Sequence, residues 1–186
     1  MKKLNVSELV FITVLSGAMG VAWWGYTFIY DLIQPFLKPI GMDHLGEGVW
    51  LMGAIFFPFI IRKPGSALLG EMIAATVQGF IAKWGAISIL YGFVQGLPVE
   101  LLFLAYGYKK WSGLQLVLAG VLSSIASFSL TYFLYGYNEF SVGFIALKLV
   151  SFMISGAMIG GYGSKFLATK LQKTGVLNQY LISEST

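Results

Sequence analysis

LVFITVLSGAMGVAWWGYTFIY, residues Leu9 to Tyr30, is uncharged throughout and is bounded by Glu8 and Asp31. As a helix it would be about 33 Å long at about 1.5 Å per residue, enough to cross a hydrocarbon core of about 30 Å. Lys2-Lys3 before it and Ala18-Met19-Gly20 within it imitate a cleavable signal. The apolar run nevertheless continues through Trp23-Trp24 to Tyr30, too long for a signal h-region, so a retained first span is expected.

Working outward, the rest of the chain has the same character. It is 57% hydrophobic and 11% charged over 186 residues, with a mean hydropathy of +0.78. A soluble domain carries about a quarter charged residues. The fold class is therefore an all-α integral membrane protein, expected in the cell membrane as one membrane-embedded domain over residues 1–186. Six spans are expected, at about 9–30, 48–61, 66–81, 86–108, 114–135 and 142–167. The second contains Pro58 and stops at Arg62-Lys63-Pro64-Gly65, a turn because proline lacks the donor and glycine accepts positive φ. The loop after the first span carries Asp31, Pro35, Lys38, Pro39, Asp43, His44 and Glu47. Residues from Gln172 onward read as a short tail.

Charge sets the expected orientation. Lys2, Lys3, Arg62, Lys63, Lys109, Lys110, Lys165, Lys170 and Lys173 fall on one side of the six spans. Lys38, Lys83 and Lys148 fall on the other, with Asp31, Asp43, Glu47 and Glu139. The positive-inside rule then places the N- and C-termini in the cytoplasm. Lys148, about six residues into the last span, can pair with a carboxylate or snorkel to water, and the second reading is preferred.

Several kinds of chemistry are excluded. There is no cysteine and one histidine. His44, in a polar loop, is read as a solvated residue rather than a ligand, so no metal site is expected. No nucleophile–base pair or Walker pattern occurs; Gly160-Gly161-Tyr162-Gly163-Ser164-Lys165 ends an apolar helix, where packing accounts for its glycines. The chain is not read as an enzyme, needs no cofactor of its own, and carries nothing that suggests nucleic acid. Uphill transport would need an ion gradient or other subunits.

Small residues recur at a spacing of four: Ser16 and Gly20, Ala18 and Ala22, Gly92 and Gly96, Ala119, Ser123 and Ser127, Gly156 and Gly160. This spacing lets helix backbones approach closely in lipid. Most of it fits packing within the bundle, while the first span can offer its small face to another membrane subunit.

The candidate site rests on intramembrane polar groups, which are costly in hydrocarbon and so tend to face an interior, a partner or water. Glu71 lies about 10 Å in from Pro64, and Glu100 about 14 Å in from Lys109. Gln78 follows Glu71 by one heptad on nearly the same face, and Gln95 lies further toward the loop side. Spans three and four run antiparallel, so these four can converge on one cavity. The alternative is that the glutamates are structural, capping or pairing at the basic rim, and the sequence leaves both open. Trp50, Trp84, Tyr132 and Tyr135 near the outer mouth can stack on a flat ring, with Asn138 as a loop hydrogen-bonding group.

A resemblance emerges from five segments in order: Ile61-Arg62-Lys63-Pro64-Gly65-Ser66-Ala67-Leu68-Leu69-Gly70-Glu71, then Val94-Gln95-Gly96-Leu97-Pro98-Val99-Glu100, then Ala119-Gly120 with Ser123-Ser124 and Ser127-Phe128, then Ser155-Gly156-Ala157, then Thr174-Gly175-Val176-Leu177-Asn178. Together they resemble the YkoE-like substrate-binding (S) components of energy-coupling factor (ECF) transporters from Trp50 onward; the first fifty residues match only in kind. The resemblance implies a six-helix subunit that binds thiamine or its hydroxymethylpyrimidine (HMP) precursor near the outer face, under the first long loop. It also implies a membrane coupling subunit contacted through Ala18 and Ala22, and two cytoplasmic ATPases that supply ATP and Mg²⁺ chemistry. The S component would topple to release its ligand inside. A glutamate or glutamine suits the amine and ring nitrogen of an aminopyrimidine. Where this chain has Gln78, the resemblance implies an acidic residue; the neutral amide favours the neutral pyrimidine over cationic thiamine. The other reading is a stand-alone carrier driven by protons through Glu71 or Glu100.

Overall fold

The computed structural model describes residues 3–180 and 182, which form helices and turns without a strand. Lys2 and the last four residues of the tail lie outside the described residues. Helix α1 spans Val6–Leu37 and starts at a reciprocal cap: Asn5 Oδ1 accepts from Glu8 N (2.9 Å) while Asn5 N donates to Glu8 Oε2 (2.8 Å). This satisfies two amide donors that a helix start leaves open. The helix runs past the expected end at Tyr30. Asp31 is exposed and paired with Lys83, and Pro35 lies in the last turn, where it removes the amide that would donate to the Asp31 carbonyl and weakens the helix close to its end.

After a short 3₁₀ turn at Lys38–Ile40, Gly41 takes φ +71° and reverses the chain. The expected second span at 48–61 is longer, because a 3₁₀ segment over Asp43–Leu51 feeds directly into α2, Met52–Ile61. Helix α2 reads MGAIFFPFII and is buried from Gly53 to Ile61. A helix apolar on every side belongs in the middle of a bundle, and α2 occupies that place, against α1 and the later helices α3 (Ser66–Ile81), α4 (Ile87–Ala105) and α7 (Ser164–Gln172). It stops where Arg62 adopts φ +57°, and Gly65 at φ +90° leads into α3, Ser66–Ile81.

Helices α4 (Ile87–Ala105) and α5 (Gly113–Leu134) follow. After a 3₁₀ turn at Tyr137–Glu139, the last apolar stretch is α6 (Val142–Ser155), a π-helical segment (Gly156–Gly163) and α7 (Ser164–Gln172). Five stretches are long and apolar enough to cross a membrane: Val6–Ile40, Asp43–Ile61, Ile87–Ala105, Gly113–Leu134 and Val142–Gln172. The shorter Ser66–Ile81 is the sixth, packed most extensively against α4 and α1.

Most of the small-residue spacing is internal packing. A Cβ on Gly120 would collide with the backbone of Gly156, and one on Gly156 with Ser124 and Gly120, so α5 and the π-helical segment touch backbone to backbone. On α1, Ser16 and Gly20 are buried, whereas Ala18 and Ala22 are exposed on the other side. A cluster of Ile12, Ile55, Phe57, Ile60, Phe103 and Leu116 fills one end of the bundle and takes in Leu177, Tyr180 and Ile182 of the tail. Tyr180 lies 4.5 Å from Phe11 between ring centroids, so both described ends of the chain meet at this end. Arg62, over the Trp111 ring, and Lys63, paired with Glu8 at 2.7 Å, lie at the same end.

Candidate functional site

At the opposite end, the bundle opens into a cavity of about 390 Å³. That size suits a drug-sized ligand, for which pockets run from about 300 Å³ upward. One wall comes from α3, α4 and α5 and presents Gln78, Ser88, Tyr91, Gln95, Ser127 and Thr131. Gln95 Nε2 donates to Ser127 Oγ at 2.9 Å, and Ser123 Oγ donates to the Gln95 carbonyl at the same distance, which fixes the α4–α5 seam. Tyr91 and Thr131 hydroxyls lie 2.8 Å apart. Gln78 Nε2 reaches Thr27 Oγ1 on α1 at 3.5 Å, a loose contact.

The facing wall is the 3₁₀ segment between α1 and α2. Its Asp43, His44, Glu47 and Trp50 line the cavity, with Trp23 and Tyr30 of α1 and Lys148 of α6. Ser155 anchors the segment by accepting from Gly48 N (2.8 Å) and donating to the Leu45 carbonyl (2.6 Å). Lys148 donates to Asp43 Oδ1 at 2.5 Å, and both side chains are almost fully buried. The ammonium also lies 5.1 Å from the Tyr137 ring centroid and 5.3 Å from that of Phe144, within cation–π range.

Glu47 Oε1 accepts from Tyr30 Oη at 2.8 Å and lies 2.9 Å from His44 Nδ1, an ion-pair distance without the alignment of a good hydrogen bond. The His44 ring stacks on Phe152 at 5.2 Å, and its Nε2 is 3.3 Å from Tyr137 Oη. Burial pushes the Tyr137 phenol well above its ordinary pKa, and the charges of Asp43 and Glu47 add to that, so it stays neutral. Trp50 packs edge-on to Tyr26 and Tyr30, and its buried Nε1 has no hydrogen-bond partner among the described residues.

The structure brings Gln78, Gln95, Trp50, Trp84 and Tyr135 to this cavity; Glu71, Glu100, Tyr132 and Asn138 are not among its walls. Glu71 is enclosed between α1, α2 and α3, with Oε2 accepting from Ala54 N at 2.6 Å in the first turn of α2. Glu100 Oε1 accepts from Gly65 N (2.7 Å) and Tyr108 Oη, and its Oε2 from Ala67 N (3.2 Å) and Leu68 N (3.4 Å). These are the open amides of the α3 start, where negative charge is also favoured by the helix dipole. Both glutamates thus cap the helix that precedes their own. Tyr132 is turned about 100° from cavity-lining Thr131 by the helical step and packs on Phe133 instead, and Asn138 is exposed on its turn.

Two further expectations are corrected. His44 is buried rather than solvated, because its segment folds under α6. Lys148 is buried rather than snorkelling, because Asp43 meets it inside.

A family described as the permease component of an ABC-type cobalt transport system matches residues 7–126. A crystal structure of an S component of an ECF transporter superposes with a TM-score of 0.92 at 35% identity, covering 98% of this chain and 92% of that one. The putative HMP/thiamine permease protein YkoE of Bacillus subtilis (strain 168) is 37% identical over 179 residues, covering 96% of this chain and 89% of the relative. The chain belongs to the YkoE-like family of ECF S components.

As an S component it is a non-catalytic, multi-pass protein of the cell membrane. Despite the metal in one family description, no group of three or more His, Cys, Asp or Glu suited to a metal ion occurs among the described residues. What the sequence reading of this S component missed is the charged wall. The signal was present: Asp43 and Glu47 four apart beside the only histidine, and a lysine inside an apolar run.

Proposed function

We propose that the chain is the substrate-binding subunit of an ECF-type vitamin importer and takes up HMP or thiamine through the loop-end cavity. The cavity carries the reading: aromatic walls for a flat ring, with side-chain amides and carboxylates for its donors. Gln78 and Gln95 are the groups expected to engage the aminopyrimidine edge, with Trp50, Trp84 and Tyr135 around the ring. The name of the Bacillus subtilis relative supports the ligand choice, and the absence of a metal-ligand cluster among the described residues argues against a cation such as cobalt as cargo.

The basic end then faces the cytoplasm by the positive-inside rule, with the cavity outward. Membership in the S-component family supports partnership with a membrane coupling subunit and two ATPases, which bring the ATP and Mg²⁺ chemistry. The exposed Ala18–Ala22 stripe on α1 is the contact we assign to the coupling subunit. The proton-driven carrier is disfavoured, because neither candidate proton site lines the cavity: Glu100 is taken up as a cap of the α3 start, and Glu71 is enclosed in the bundle with Oε2 on Ala54 N and Oε1 without a hydrogen-bond partner among the described residues.

Isothermal titration of the purified subunit with each compound tests the ligand. Binding without ATP is expected, and no heat with either HMP or thiamine rejects it. Co-expression with the coupling subunit and the ATPases tests the assembly: Ala18→Leu with Ala22→Leu should abolish co-purification while ligand binding persists.

A further inference from the structure

A second pocket, of about 380 Å³, opens at the basic end of the bundle. It lies between the end of α2, the turn joining α4 to α5, and α7, and Ile182 of the tail is part of its lining. Arg62 and Lys109 are the charged side chains among the described residues that line it, so that charge is positive. Glu8 and Glu100, the described carboxylates of this end, are committed elsewhere, to Asn5 and Lys63 and to the α3 start.

Arg62 is held in place at this pocket. Its guanidinium carbon lies 5.6 Å from the centroid of the Trp111 ring, and its Nε donates to the Phe59 carbonyl at 3.4 Å. Trp111 is fixed in turn, stacked on Phe103 at 4.5 Å and donating from Nε1 to the Tyr108 carbonyl at 3.1 Å. A planar guanidinium set against an aromatic face is preorganised for the forked oxygens of a phosphate, more so than a flexible ammonium. Lys109, exposed on the α4–α5 turn, adds a point charge on the other side of the pocket from α7.

The remaining lining suits an amphiphile. Phe59 and Trp111 contribute apolar surface, and Thr169 spends its hydroxyl on the Lys165 and Phe166 carbonyls of its own helix (2.8 and 3.0 Å). Phe166 and Tyr162, three and seven residues before Thr169 and so on the same helical side, are 64% and 47% exposed. Because this helix runs toward the basic end, those two residues lie deeper in the bilayer than Thr169. An apolar track therefore leads from the charged pocket into hydrocarbon. A soluble anion has no use for such a track, whereas a phospholipid places its phosphate at one end and an acyl chain along the other.

We propose that this pocket binds the phosphate of an anionic phospholipid, with Arg62 as the principal contact, Lys109 as the second charge and the Tyr162–Phe166 side beside an acyl chain. Basic pockets between helices on the cytoplasmic side of a membrane are suited to such headgroups. The site is independent of what the loop-end cavity binds. In the orientation given above, it fastens the basic end at the level of the inner-leaflet headgroups.

Thermal unfolding of the intact subunit in detergent, titrated with phosphatidylglycerol, phosphatidylcholine or soluble glycerol phosphate, tests the proposal. Phosphatidylglycerol should stabilise saturably and bind roughly tenfold or more tighter than phosphatidylcholine, the scale of two basic contacts near a membrane surface. Glycerol phosphate should leave the midpoint unchanged. Arg62→Gln with Lys109→Gln should bring the two lipids within about twofold of each other. Lys3→Gln with Lys110→Gln, which removes equal charge from the same end outside the pocket, should keep the preference. Native mass spectrometry of the wild type reads the selectivity even where a variant does not fold, and phosphatidylglycerol should be retained in preference to phosphatidylcholine. Equal affinity for the two lipids overturns the proposal. A glycerol phosphate shift equal to that of phosphatidylglycerol overturns it in favour of a soluble phosphate site. A loss of preference as large in the Lys3 and Lys110 variant as in the Arg62 and Lys109 variant overturns it in favour of diffuse surface charge.

Discussion

The two ends of the bundle use the same kinds of side chain for opposite purposes. At the basic end, polar atoms terminate on protein: Glu100 collects three backbone amides and the Tyr108 phenol, and Glu8 closes on both Asn5 and Lys63. The Tyr108 phenol is pushed far above its ordinary pKa, by burial first and by the Glu100 carboxylate second, so it remains a donor. At the loop end, Glu47, Gln78 and Gln95 are each satisfied on one side only and turn the other toward a cavity. A buried carboxylate whose lone pairs are used up is architecture; one with a spare acceptor beside open space is available for a ligand.

The largest expected effect tests whether the loop end is also rigid. Lys148→Met leaves Asp43 charged and unpaired in a site where both side chains are nearly dry. Breaking one partner of a buried pair costs about 3–5 kcal/mol, so denaturation in detergent should show a loss of that order. The double variant with Asp43→Asn should recover most of it, because the stranded charge is then gone. A single variant as stable as the wild type would mean that water reaches this wall freely.

At the basic end, Glu100→Ala should cost about 2 kcal/mol through the opened α3 start. Ligand affinity should stay within about twofold, since Glu100 does not line the cavity. A large loss of affinity at unchanged stability would contradict the division between the two ends. The isosteric Glu100→Gln should fall between, because it keeps an acceptor but loses the charge favoured at a helix start.

That division explains what the sequence could and could not reveal. Span number and approximate limits were legible, because apolar length is a local property that lipid enforces on every helix. So were Gln78, Gln95, Trp50, Trp84 and Tyr135 as cavity residues, since helical phase carries the glutamines to one side and aromatic residues gather near the mouth. The role of Glu71 and Glu100 was not legible. Their depth gave the same cost of burial whether they faced a ligand or the amides of Ala54, Gly65, Ala67 and Leu68. Nor was the pairing that builds the charged wall: the lysine in an apolar run was visible, but Asp43 is 105 residues away and nothing local marks it as the partner. His44 looked solvated only because a polar loop is usually outside; here the segment is drawn under α6 by Ser155.

The next effect belongs to binding. Gln95→Ala removes a cavity amide and its bond to Ser127. It should weaken ligand binding about tenfold, the value of one good hydrogen bond in a partly dry site, with at most about 1 kcal/mol of stability lost. Titration calorimetry and thermal unfolding on the same preparation separate the two. Loss of stability without loss of affinity would move Gln95 to the architectural class alongside Glu100.

The smallest effect uses a second lysine–carboxylate pair as a control. Lys83 meets Asp31 at 2.5 Å, the same separation as Lys148 and Asp43, but the two side chains are 53% and 40% exposed. Lys83 also lies over the Trp84 ring at 4.7 Å, so part of its stem packs whether or not the charge pairs. Water and salt screen such a pair, and its worth falls to about 0.5 kcal/mol or less. Lys83→Gln should therefore shift unfolding barely at all in 0.15 M salt, while Lys148→Met under the same conditions produces the large loss above. If Lys83→Gln cost as much as Lys148→Met, the separation alone would govern, and burial would have no part in distinguishing the wall of the cavity from its rim. A near-zero result for Lys83 beside a large one for Lys148 assigns the difference to dehydration, which separates the wall of the cavity from its rim.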